Sequence, residues 1–71
     1  MSLAQIRITR NVPAKRGGRV FVRSRKMFGT ITGSFGGYIR IRLDGEKRSR
    51  IYHPTWTISY LEKDGSVLVS T

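Results

Sequence analysis

The chain has 71 residues, with fourteen Lys and Arg against four Asp and Glu, one His and no Cys, and a formal charge of +10 at pH 7. A chain this short supports one small core near the lower limit for unaided folding, and the lack of cysteine excludes disulfides and Cys-ligated zinc. No apolar run approaches the roughly 18 residues of a membrane span, no apolar signal-type region stands at the N-terminus, and no basic amphipathic stretch marks a membrane-surface helix.

In chain order, "QIRITR" at residues 5–10 alternates apolar and polar, which predicts a short half-buried strand or an ordered N-terminal arm. "NVPAKRGG" is a basic loop marked by Pro13, Gly17 and Gly18. "RVFVR" alternates again, with Val20 and Val22 on one face, and "SRK" is a charged turn. In "MFGTITG" the glycines Gly29 and Gly33 predict a bulge or a close backbone approach, and "SFGG" is the next turn. "YIRIRL" and "RSRIY" flank an Asp44-Gly45 turn, Pro54 ends a strand, "KDG" is a second hairpin turn and "SVLVS" is a closing strand. Nothing shows helical period.

Five to seven short strands at this spacing predict an all-β fold, a small antiparallel barrel. It is expected as a single domain over 1–71, with 1–16 as an N-terminal strand or basic arm, 17–62 as the barrel core and 63–71 as the closing strand. Parity assigns the core to Val20, Val22, Ile31, Ile39, Ile41, Leu43, Ile51, Ile58, Leu61 and Leu68, with Trp56 or Tyr60 as a plug.

The hairpin around Asp44-Gly45 carries the sharpest expectation. A two-residue loop would oppose Ile41 to Arg48 and Ile39 to Arg50, mixing apolar and charged side chains on both faces. A three- or five-residue loop instead opposes Ile39 to Ile51, Tyr38 to Tyr52, Arg40 to Arg50 and Arg42 to Arg48. One face is then apolar and the other a ladder of arginines and tyrosines. Like charges directly opposite cost up to about 1 kcal/mol a pair, a cost that an anion laid across the ladder would remove. Lys47 lies in the loop, and Lys15, Arg16, Arg19, Arg23, Arg25 and Lys26 border the same groove from "AKRGGR" and "RSRK". Phe28 and Phe35 stand open between stacking and core roles, whereas Trp56 is assigned to structure.

No catalytic set is visible. His53, the single histidine, stands beside Pro54 and is expected to bond backbone or phosphate, and no glycine-rich phosphate loop leads into a helix. No cofactor, no metal and no small-molecule substrate is expected.

The stretches "GGRVFVRSRKMFGTITG" and "SRIYHPTWTISYLE" resemble the SH3-like barrels, in particular the KOW-type modules. That resemblance implies a small barrel in a group that includes nucleic-acid binders of ribosomal and transcription proteins as well as peptide binders. "GGRVFVRSRK" followed by "RIYHP" is similar to the plasmid-borne type II dihydrofolate reductases, tetramers whose Gln-Ile-Tyr strand lines one pore. Ile51 and Tyr52 match that strand, and Arg50 stands at the Gln position.

The reading that follows is a non-enzymatic, basic nucleic-acid-binding module of a bacterium, phage or mobile element, with DNA favoured over RNA. It is expected in the cytoplasm, on the nucleoid if bacterial, and a homo-oligomer suits so small a core. The rival readings are a protein-interaction module meeting an acidic partner within a larger assembly and, more remotely, a reductase of the type II kind.

Overall fold

A computed structural model describes residues 2–71, and in it the alternating segments form six antiparallel strands of one sheet, with one short helix. Helix α1 (Leu3–Arg10) precedes β1 (Arg19–Val22), β2 (Met27–Phe35), β3 (Tyr38–Leu43), β4 (Arg50–Tyr52), β5 (Ile58–Leu61) and β6 (Val67–Ser70). The sheet order is β4-β3-β2-β1-β5-β6. β1 therefore joins two hairpin systems, pairing with β2 on one side and β5 on the other. β2, at nine residues, is the longest strand. It is interrupted by a register shift between Ile31 and Gly33. A bulge there was expected, and it lets β2 serve β1 with its first half while β3 follows it to the far end.

Gly29 is required by contact. A Cβ built on it would lie 2.7 Å from Ile41 Cγ2 and 3.0 Å from the Arg42 carbonyl oxygen, so β2 and β3 approach there as only glycine allows.

Most of the parity-assigned core is buried: Val20, Val22, Ile31, Ile39, Ile41, Leu43, Ile58 and Leu61, with Tyr60 as the plug. The Tyr60 hydroxyl donates to the Pro54 carbonyl at 2.6 Å, which pins the turn before β5. Three assignments are corrected. Trp56 is 67% exposed and plugs nothing, Ile51 is 49% exposed, and Leu68 lies on β6, whose four residues all face solvent.

The N-terminal segment, expected as a short strand or an ordered arm, is a helix. Ser2 caps α1, its side chain accepting from the Gln5 N–H while the Gln5 side chain accepts from the Ser2 N–H. This reciprocal capping box at S-x-x-Q outweighs the local alternation. Ile6 then faces the core and Ile8 is 81% exposed, where a strand would have kept them on one side. Asn11 closes the helix in the left-handed region at φ 55. Val12 and Ala14 follow into the core, held by Arg7 donating to the Ala14 carbonyl at 2.7 Å.

The β3–β4 register differs from both expected ones. Ile39 faces Tyr52, Arg40 faces Ile51 and Ile41 faces Arg50. Residues 44–49 form the loop, with the Glu46 N–H donating to the Leu43 carbonyl and the Ser49 and Thr32 hydroxyls 2.6 Å apart. This slip turns Tyr52 inward, where its ring packs on the core, and sends Ile51 out. Burying the larger aromatic side chain decides the face of so short a strand.

Candidate functional site

β3 alternates without exception, so Tyr38, Arg40 and Arg42 all project from the outer face of the sheet. Their neighbours follow from pairing, since directly opposed residues share a face. Tyr38 faces Phe35, Arg40 faces Gly33 on one side and Ile51 on the other, and Arg42 faces Thr30. The Arg40 guanidinium lies over the Phe35 ring, 5.2 Å from its centroid. Gly33 carries no side chain, and its nearest non-neighbour is the Arg16 guanidinium, 3.8 Å from where a Cβ would stand. Arg16 and Arg40 thus both lie beside Gly33, which is buried.

An aromatic row continues from this face onto the turn after β4. Phe35 and Tyr38 are 54% and 47% exposed. Tyr38 meets the His53 ring edge-on at 6.0 Å, and His53 stacks on Trp56 at 4.3 Å and 15°. Phe28, exposed, meets Phe21 edge-on at 4.8 Å farther along the outer face. His53 is fixed by Thr55, whose N–H donates to Nδ1 at 3.2 Å, so Nδ1 is the acceptor and the neutral ring carries its proton on Nε2. Desolvation, and then the Arg10 cation, hold the His53 imidazolium below its ordinary pKa.

The expected ladder is not formed. Arg50 sits on the side of Ile41, not opposite Arg40, and its Nε donates to Glu46 at 3.1 Å. Arg48 lies in the loop, exposed, with no strand partner, and Lys47 stands beside it, also exposed. Tyr52 leaves the face altogether, its hydroxyl buried without a hydrogen-bond partner.

The bordering cations divide into two groups. Arg19 is fastened to Asp44 by two bonds, at 2.9 and 2.8 Å, and also donates to the Thr30 hydroxyl. That guanidinium holds the Asp44 carboxyl below the usual carboxylate range. Arg23 is structural, donating to the Ser59 hydroxyl and to the Thr71 carbonyl. Arg25 lies 3.9 Å from Glu46. Lys15, Arg16, Lys26, Arg40, Arg42, Lys47 and Arg48 have no carboxylate partner among the described residues. Of these, Arg16, Arg40 and Arg42 converge on the outer β2–β3 face.

Sequence reasoning left Phe35 open between stacking and core roles, expected His53 to bond backbone or phosphate, and assigned Ile51 and Trp56 to packing, so none of the four was placed on this surface. A signal existed for Phe35, because a two-residue Gly36-Gly37 turn places it opposite Tyr38. Trp56 lies in a turn without periodicity, and no pattern reports its exposure.

No helix among the described residues is long and apolar enough to cross a membrane. Comparison of the chain with protein-family models, curated proteins and solved structures gives no match, so the functional reading rests on the chemistry of this face.

Proposed function

We propose that the protein is a non-enzymatic nucleic-acid-binding module whose site is the outer β2–β3 face. The observation that carries the reading is the presence of Arg16, Arg40 and Arg42, none of them in a salt bridge among the described residues, with exposed Phe35 and Tyr38 on one face of a +10 chain. Free guanidinium groups pair with phosphate in a bidentate manner and release counterions, and the rings between them offer contact area to bases or sugars. A strand order of β4-β3-β2-β1-β5, with β1 bridging β2 and β5, supports the SH3-like reading of the sequence, β6 being an added edge strand. Arg19, Arg23, Arg25 and Arg50 are engaged with groups of the protein itself.

The test is binding of a labelled nucleic acid across a salt series by wild type and by an Arg40→Ala, Arg42→Ala double variant of verified fold. Two lost phosphate contacts flatten the log-log salt slope by about 1.4 on a single strand and about 1.8 on a duplex. An unchanged slope removes the site from this face. Failure of wild type to bind at low salt, with binding to polyglutamate instead, replaces the reading by the acidic-protein partner.

A further inference from the structure

We infer that this face takes single-stranded nucleic acid in preference to duplex, with unpaired bases laid on the rings of Phe35, Tyr38 and Trp56. The inference rests on the nucleic-acid reading above and adds the strand state of the ligand.

Exposed rings need a partner with an open π-face. In a duplex the faces of the bases are already stacked on one another, and the accessible surface is phosphate, sugar and groove edge. Rings on a protein surface gain little from those groups, whereas an unpaired base stacks on them whatever its identity. A duplex-binding surface would be served by the arginines alone. Here the rings are part of the same surface: Arg40 lies against Phe35, and Phe35 and Tyr38 close the β2–β3 hairpin side by side, opposed residues having Cβ atoms about 5 Å apart.

The rings are also held before any ligand arrives. His53, fastened through Nδ1 to Thr55, covers one side of the Trp56 indole and leaves the residue 67% exposed, so the open side is presented to solvent. The Trp56 backbone N–H donates to the His53 carbonyl at 3.2 Å, which fixes the turn, and Pro54 is tied to Tyr60 beneath. Thr57, next in the turn, is kept in the left-handed region at φ 57. A platform fixed in this way loses little side-chain freedom on binding. Arg16 and Arg40, both beside the buried Gly33, are the groups that take phosphates of the strand.

The experiment titrates the full chain into a labelled single strand of about a dozen nucleotides and into its matched duplex, at one fixed salt concentration, beside Phe35→Leu, Tyr38→Leu and Trp56→Leu variants. The expected result is at least tenfold tighter binding of the single strand, quenching of Trp56 fluorescence by it, and about tenfold weakening of single-strand binding in each variant with the duplex affinity within twofold. Equal affinity for both ligands, with all three variants unaffected, overturns the single-strand inference and leaves the phosphate-binding face standing. Absence of binding to either ligand at low salt overturns the nucleic-acid reading and this inference with it. Because Phe35, Tyr38 and Trp56 are exposed, circular dichroism is expected to show the variants folded, and Arg40→Ala serves as the comparison that weakens single-strand and duplex binding alike, where the ring variants weaken only the first.

Discussion

Two hairpins built from similar amounts of aliphatic sequence end up with opposite characters. In the β2–β3 hairpin, "YIRIRL" buries every second residue and sends arginine and tyrosine outward. In the β5–β6 hairpin the alternation fails twice: all four residues of β5 are buried, and all four of β6 are exposed. Alternation records burial only where one face meets the core and the other meets water. β5 is covered on both faces, because Arg23 reaches across to Ser59 and Ser70 bonds the same hydroxyl at 2.9 Å. β6 lies beyond the core at the sheet edge, so Val67, Leu68 and Val69 stand exposed whatever their parity. Charge follows the same division. Residues 58–71 carry Lys63 against Glu62 and Asp64, a net −1, which leaves +11 on residues 1–57 of a chain whose total is +10. The β2–β3 hairpin itself carries Arg40 and Arg42 and no carboxylate, so the two hairpins differ in the sign of their charge.

The largest test of this contrast is a pair of truncations. Ile41→Ala removes a fully buried side chain from beneath the outer face and is expected to cost about 2–5 kcal/mol, a large share of the stability of so small a domain. Leu68→Ala, at an exposed edge position, is expected to cost under about 1 kcal/mol. Urea midpoints at constant m-value measure both, and equal losses would show that β6 is packed in solution. Next in size is Gly29→Ala. Its Cβ would press on Ile41 and on the Arg42 carbonyl, forcing β2 and β3 apart at an expected cost of about 1–3 kcal/mol. A neutral Gly29→Ala would mean that the two strands separate freely there.

These residues also show what was legible in the sequence. The sheet, its short strands and eight of the ten parity-assigned aliphatics could be read directly, since period-2 patterning responds to a buried face. The glycine signals at Gly29 and Gly33 were equally readable, because few other features produce a glycine inside a strand. The helix was hidden by an accidental alternation in "QIRITR", although the capping box Ser2–Gln5 was present as a competing signal. Register was the weakest point. Three residues of β4 contain both Ile51 and Tyr52, either of which can face inward, and the choice depends on how much ring area the core accepts. That single slip took Arg50 and Tyr52 off the outer face while Arg40 and Arg42, on the longer β3, stayed where parity put them.

A smaller test compares the two buried tyrosine hydroxyls. Tyr60→Phe strands the buried Pro54 carbonyl and is expected to cost about 1–2 kcal/mol. Tyr52→Phe deletes a hydroxyl that is buried without a partner, so it is expected to be neutral or stabilising by up to about 1 kcal/mol. Thermal unfolding ranks them, and a Tyr52→Phe loss as large as that of Tyr60→Phe would place the Tyr52 ring in another register.

The smallest effect separates the two regions by pH. His53 lies at the aromatic end with its folded pKa lowered, so between that value and the unfolded value near 6.5 the unfolded chain binds more protons. Stability contributed there is present above about pH 6.5 and falls as the pH drops through the lowered pKa. Asp44 and Asp64 have lowered carboxyl pKa values and act in a separate window, their contribution being present above about pH 4 and lost below it. His53→Gln should flatten the stability profile in the upper window and leave the lower one unchanged. A bound single strand should act in the opposite direction on the same group, since phosphates beside the ring favour the imidazolium that Arg10 opposes. An upward shift of the His53 NMR titration on adding the strand is the expected sign. A titration that does not move would place the strand's phosphates away from His53, on the Arg16, Arg40 and Arg42 side of the face.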